Sequence, residues 1–359
     1  MVLASWTMPS TVKGTLSMDE PVAPATSPPL SSEPSAGRPA VVVCGSLAID
    51  VIGYYAGTLQ PSTSVGSFSQ SIQLDRLNVE FGGCAMNIAY SLALLGAQAF
   101  PVVRVGRDFR GDYAAHLRAS GVSDRGVLVD EAFAASSHCI VLSDRDGNQL
   151  TAFYPGSSAA AAAGLQPHHD AGALAAAVGA RIAIIAPDVS ASMIRHAELL
   201  SAAAVPYITD PGQGLSDFTA EAAAALMART RHLILNDREW ATLLELLGRS
   251  AEAVRAELDW LVVTEGARGL RAWQGTDAIA LPAVAARSAV DHTGCGDALR
   301  AGLALGLAQG AALAEALRIG VLCATYNLES QGCQRHRFSL HEFRQRYREC
   351  WQAPWPIDD

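Results

Sequence analysis

The chain has 359 residues, 50% of them apolar and 17% charged, and a formal net charge of −9. That balance excludes a disordered or fibrous protein, and the acidic surplus argues against a nucleic-acid partner. Lys13 is the single lysine beside 25 arginines, so no Schiff-base or Walker-type phosphate lysine is available in the folded part.

Residues 1–38 are rich in Pro, Ser, Thr and Ala and read as a disordered tail, with Met18 as an alternative start. Met1–Ser10 breaks off too soon for the apolar core of a secretory signal. From Ala40, short apolar runs that fit strands buried on both faces alternate with Ala/Leu-rich helical stretches. The runs are Val41–Cys44, Ile182–Ala186, Tyr207–Thr209, Leu233–Leu235 and Leu261–Thr264. The helices are Ala85–Leu95, Tyr113–Ser120, Ser190–Ala204, Thr219–Arg229, Glu239–Leu247, Gly296–Gln309 and Ala312–Asn327. This alternation predicts an α/β fold with three layers, a mainly parallel sheet covered by helices on both sides. Two Thr/Ser/Val-rich segments, about 51–80 and 134–154, break the alternation and predict a small β-sheet projecting from the core. The folded core then spans 39–350, with a C-terminal tail over 351–359. The apolar stretches Ala171–Ala186 and Ala301–Ala314 are too short for a membrane span or are interrupted by Arg181 or Gln309, so no membrane partner is expected. The seven cysteines are scattered without CxxC spacing, which predicts reduced thiols, a cytoplasmic setting and no zinc site. The pair His168-His169 has no second ligand cluster at metal spacing.

The segment richest in chemistry is Asp291-His-Thr-Gly-Cys-Gly-Asp297, followed by the helical stretch Ala298–Gln309. Glycines that open a helix leave N–H groups free at its positive end, where an anion is favoured. Asp297 is then either a helix cap or a general base beside that anion site. A second segment, Phe81-Gly-Gly-Cys-Ala-Met-Asn87, opens a helix with a diglycine, so Gly82, Gly83 and the Asn87 amide are candidates for binding hydroxyls. Asp50 ends the first strand segment at the carboxyl edge, where open α/β sheets bind ligands.

Together these two segments resemble the paired signatures of the ribokinase (PfkB) family of sugar and nucleoside kinases. The likeness covers about residues 40–350 and is greatest to the bacterial adenosine-kinase-like nucleoside kinases. That branch's wording recurs in Gln149–Gly156, Asp210–Gly214, Thr293–Gly302 and Gln331–His336 with Phe343–Tyr347. The resemblance implies ATP-dependent phosphorylation of a nucleoside 5′-hydroxyl, with Mg²⁺ as cofactor and K⁺ as a further candidate. By the same likeness Asp297 matches the base, and Gly294, Cys295 and Gly296 the anion hole. Asp50, Gly82, Gly83 and Asn87 match the positions that hold ribose hydroxyls. Asn236 and Glu239 match the segment that organises Mg²⁺ through water, although three-residue spacing after a strand is also an ordinary helix start. Thr264, Gly266 and Gly269 match the loop bordering the ATP site, and Asp291 and Thr293 the loop that binds a monovalent cation in many members.

Two alternatives stay open: a sugar kinase of the same family acting on a ribose- or fructose-like hydroxymethyl group, and a non-catalytic nucleoside or sugar sensor. The partner is a small molecule, and the chain is a monomer or a homodimer. His292 departs from the usual Thr or Pro of the cation loop. The lid segment 51–80 lacks the apolar cluster expected to cover a purine. Arg107 and Arg300 are expected to be solvated, and Cys295, at a helix N-terminus, is expected to have a lowered thiol pKa if exposed.

Overall fold

The computed structural model describes residues 37–59, 71–146, 148–162 and 170–357. The expected tail up to residue 36, the middle of the first lid segment, His168-His169 and the last two residues lie outside these. The strands are β1 (Ala40–Cys44), β2 (Ala48–Tyr55), β3 (Arg76–Gly82), β4 (Gln98–Val105), β5 (Val127–Val129), β6 (Ser137–Asp144), β7 (Gln149–Tyr154), β8 (Ile182–Ile185), β9 (Tyr207–Thr209), β10 (His232–Asn236), β11 (Trp260–Thr264), β12 (Leu270–Gln274) and β13 (Asp277–Leu281). The helices are α1 (Cys84–Leu94), α2 (Asp112–Ala119), α3 (Ala159–Ala162), α4 (Ala171–Val178), α5 (Ser190–Ala202), α6 (Ala220–Met227), α7 (Asp237–Leu247), α8 (Ala251–Arg255), α9 (Cys295–Ala308), α10 (Leu313–Leu328) and α11 (Leu340–Trp351).

Nine strands form one sheet in the order β13-β12-β11-β10-β9-β8-β1-β4-β5. All neighbours are parallel except the pairs β11/β12 and β12/β13. Alternate side chains explain why the central strands are apolar throughout. Val41, Val43, Ile182, Ile184, Ile234 and Val262 face α1, α2, α9, α10 and α11. Val42, Cys44, Ile185, Leu233, Leu235 and Val263 face the layer of α4 to α8. The expected strands and helices match the observed ones to within two residues. The apolar run Ala171–Ala186 is split in two, because Gly179 at φ 63° ends α4 and Ile182–Ile185 enters the sheet as β8. Among the described residues no helix is long and apolar enough to cross a membrane.

A separate four-stranded sheet, in the order β3-β2-β6-β7, joins the two segments that interrupt the alternation. Residues 351–357 are packed on the core: the Trp355 ring lies 5.1 Å from that of Tyr347 and 5.9 Å from that of Phe343, and Ile357 is buried.

Helix α9, which begins at the Asp291–Asp297 segment, is fixed by its contact with α10. A Cβ on Gly302 would lie 2.7 Å from the Gly320 Cα, and one on Gly320 would lie 2.5 Å from the Leu299 carbonyl oxygen, so the two helices meet backbone to backbone. Gly302→Val is therefore expected to destabilise the fold by about 1–3 kcal/mol through overpacking. Chemical denaturation should register this as a lower midpoint with an unchanged slope.

Candidate functional site

Both glycine segments end at helix N-termini on the carboxyl side of the large sheet. Helix α1 starts at Gly83, with φ 91°, and α9 at Gly294, with φ 77°; neither has a capping side chain. A Cβ on Gly83 would lie 2.5 Å from both the Ala48 nitrogen and the Leu47 Cα, so glycine is required there by space as well as by backbone angle. Ala85 N–H donates to the Ser46 carbonyl at 3.2 Å and Cys295 N–H to that of His292 at 3.3 Å, and the positive poles of both helices otherwise face the space between them.

Asn87, one turn into α1, donates from Nδ2 to Asp297 Oδ2 at 2.8 Å. The Cys84 thiol is a second hydrogen-bond partner of the Asp297 carboxylate. Burial pushes the Asp297 carboxyl up to about 6 against these hydrogen bonds and the nearby Arg300. Asp50 does not end the first strand as expected: β1 stops at Cys44, and Asp50 is the third residue of β2 in the small sheet, paired with Glu80, with its Oδ2 2.3 Å from where a Gly82 Cβ would be. Its carboxyl is also pushed up to about 6, by burial first and then by the carboxylates of Glu80 and Asp297. Asp50, Gly82, Gly83, Asn87, Gly294, Cys295, Gly296 and Asp297 thus converge on one place. Two protonatable carboxyls there could each titrate near neutrality, a condition suited to proton transfer.

Arg300 corrects an expectation. It is buried instead of solvated, and its Nη2 donates to Asp210 Oδ1 at 2.7 Å, with a second close contact between Nε and Oδ2. Its Nη1 lies 2.8 Å from where a Gly296 Cβ would be, so the guanidinium supports the glycine turn from below. Burial pushes the Asp210 carboxyl up against the pull of this arginine. Sequence reasoning quoted the Asp210–Gly214 stretch but gave Asp210 no role, since nothing local indicates a partner 90 residues away. Arg107 is exposed, as expected.

Asn236 and Glu239 form a reciprocal cap on α7: Asn236 Oδ1 accepts from the Arg238 and Glu239 nitrogens, and Glu239 Oε2 accepts from the Asn236 nitrogen at 2.7 Å. The ordinary helix start is therefore real, and it leaves Glu239 half-buried and close enough to act electrostatically on Asp297 and Asp210. Thr264 is in register with Asn236 on the neighbouring strand. Gly266 and Gly269, with φ 59° and 97°, form the tight turn that follows. Asp291 accepts from the nitrogens of Thr293 (2.9 Å) and Gly332 (3.0 Å). Burial would raise its pKa, but these bonds hold it below the usual carboxylate range. Cys295 does not meet the condition of exposure: it is half-buried, and burial raises its thiol pKa, helped by Asp291 and Asp297.

The lid carries the apolar surface that its linear sequence lacks. In register with Asp50 on one sheet face are Cys139 on β6 and Phe153 on β7, while Ile52 and Val141 pair on the same face. Phe153 and Ile52 are exposed. These residues come from three strands, so no single segment displays the cluster. Leu77, Val79, Ile140 and Leu150 are exposed on the other face.

With this geometry in hand, comparison with known proteins is decisive on the family. The model of the pfkB family carbohydrate kinases matches residues 38–337. The chain belongs to the pfkB family. Like other members it is a phosphotransferase acting on a hydroxyl group, a sugar or nucleoside kinase. This pfkB-family kinase is 30% identical to the Burkholderia thailandensis nucleoside kinase solved in complex with inosine, with a TM-score of 0.76 over 88% of this chain and 99% of the other. It is 25% identical to a nucleoside kinase of Methanocaldococcus jannaschii, over 83% of this chain and 93% of that one. The Arabidopsis thaliana ribokinase complexed with ribose and ATP shares the fold, at 20% identity and a TM-score of 0.71, over 86% of this chain and 99% of that one.

The buried pair beneath the glycine turn makes a stability prediction. Asp210→Ala leaves the Arg300 guanidinium buried without its partner and is expected to cost about 3–5 kcal/mol. The double variant Asp210→Leu with Arg300→Met should recover much of that loss in denaturant unfolding, because an apolar pair of similar volume strands no charge.

Proposed function

We propose that this kinase transfers the γ-phosphoryl group of ATP to the 5′-hydroxyl of a nucleoside. The observation that carries the reading is the Asp297 carboxylate, raised to about 6 at the uncapped start of α9 and facing Asp50 across the diglycine. In this reading Asp297 takes the proton of the attacking hydroxyl. The backbone N–H groups at Gly294, Cys295 and Gly296 receive the phosphoryl oxygens as their charge develops. Asp50 and the Gly82, Gly83 and Asn87 segment hold the sugar hydroxyls. Thr264, Gly266 and Gly269 border the nucleotide. A nucleoside is favoured over a free sugar by the named activities of the relatives above. The exposed Phe153 and Ile52 on the Asp50 face also offer an apolar surface to a flat base.

The site's charge fits a divalent cation. Asp210, Glu239 and Asp297 act on one another with Arg300 as the buried cation among them, and among the described residues there is no lysine. Among the described residues no cluster of three ligating side chains exists. That suits Mg²⁺, which is commonly held by one or two carboxylates, waters and the substrate's own phosphates. Glu239 would hold it through water, and the cation would offset phosphate charge. Each Asp291 oxygen accepts one backbone N–H group and keeps a lone pair, so Asp291 and Thr293 would hold K⁺ together from one loop. Asn327 Oδ1, buried without a partner, is beside that loop, as its Nδ2 donates to the Thr293 carbonyl at 2.7 Å.

Turnover of a nucleoside panel with Mg-ATP, measured by ADP release, tests the reading. Asp297→Asn should lower kcat by about 10²–10⁴-fold. Turnover of sugars alone would replace the nucleoside with a sugar acceptor. Ligand-induced thermal stabilisation without turnover would leave a sensor.

Protonation adds a second test. The base must be ionised, so kcat/KM should fall as pH drops through about 6. The same raised pKa makes the folded state prefer the protonated group, so its stabilising effect is complete below 3.8, the ordinary carboxyl value, and is lost as pH rises through about 6. Asp297→Asn should therefore melt a few degrees above the wild type near pH 8, and the gap should close towards pH 4.

A further inference from the structure

Behind Asn87 is a hydrogen-bonded chain that the proposed reaction does not use directly. Gln334, buried in the segment between α10 and α11, donates from Nε2 to Asn87 Oδ1 at 2.9 Å and to the Tyr113 hydroxyl at 3.1 Å. Its Oε1 lies 2.9 Å from His116 Nε2. The Tyr113 hydroxyl donates to the Gly82 carbonyl at 2.6 Å.

The polarity of this chain follows from its fixed end. A backbone carbonyl only accepts, so the single Tyr113 proton is directed at Gly82 and the phenol oxygen must accept from Gln334. The amide nitrogen of Gln334 therefore faces Tyr113 and Asn87, Asn87 presents its oxygen there, and only its Nδ2 is left for Asp297. His116 supplies Nε2–H to the remaining Gln334 oxygen. Its ring stacks on Phe81 at 4.2 Å and 15°. Without Gln334 the Asn87 oxygen loses the buried donor that holds it, so the Asn87 side chain is free to leave the rotamer that aims Nδ2 at the carboxylate.

We propose that Gln334 is a positioning residue for Asp297, acting through Asn87 to keep an N–H donor on the carboxylate. The role of Asp297 as base rests on the kinase reading above. The other titratable or charged groups acting on Asp297 or responding to it are Cys84 from α1, Asp50 from β2, Glu239 from α7, Cys295 and Arg300 from α9, and Asp210 and Cys333 from loops. All remain in place in the variants below.

The experiment is a ¹³C carboxyl NMR titration of the unliganded protein, with the Asp297 signal identified by its loss in Asp297→Asn. Gln334→Met, nearly isosteric, should raise the Asp297 pKa by about one unit as the carboxylate loses its donor. The acid limb of kcat/KM should move up with it, whereas a merely structural role would lower activity at every pH and leave the limb in place. Asn87→Ala should produce the same shift, and the double variant no more than Asn87→Ala alone. Gln334→Leu, which removes the donor to Asn87 without adding a charge, should shift the pKa as far and serves if the Met variant does not fold. An unchanged Asp297 pKa in the folded Gln334 variant, or a double variant with summed shifts, overturns the proposal. A wild type that turns over no acceptor would overturn the kinase reading while the titration still decides the part played by Gln334.

Discussion

The hydrogen bond from Asn87 to Asp297 joins the first turns of two helices whose contact residues are 210 positions apart in the chain. Each helix begins at a glycine in a left-handed or otherwise positive-φ conformation and without a side-chain cap. Their N-terminal N–H groups are consequently not spent on the protein's own side chains. The large sheet sets the height of both helices, and the α9–α10 seam sets the angle of one of them. The site is therefore a property of the packing as a whole, with little contributed by any one loop.

Charge shapes the cost of this arrangement. Asp50, Asp297 and Asp210 are each pushed towards the protonated form by burial, which folding alone would avoid. Arg300 balances one carboxylate and supports the Gly296 turn at the same time. A core that accepts several unfavourable carboxylates in one corner has traded stability for reactivity, as functional sites commonly do.

The layered core was legible in the sequence because strands buried on both faces are written as continuous apolar runs, such as Val41–Cys44. The helix starts at Cys84 and Cys295 were legible through their glycines. Arg300 was not, because its partner Asp210 follows a different strand and burial of an arginine has no local signature. The apolar face of the lid was hidden for a similar reason: Ile52, Val141 and Phe153 meet only after three strands pair. The burial of the Cys295 thiol was not legible either: a helix end argues for a lowered pKa in an exposed thiol, while burial and two nearby carboxylates raise it. Asn236 and Glu239 carried two readings from the start, and their capping bonds satisfy the structural one without removing Glu239 from the site's electrostatics.

The arginine-only basic character of the folded region also governs how the molecule can be handled. With Lys13 as the single lysine side chain, amine-directed reagents have no lysine to modify from residue 37 onward. A fluorophore attached to a lysine side chain would therefore sit on Lys13 alone and leave every basic side chain of the sheet, the lid and the glycine turns chemically unmodified.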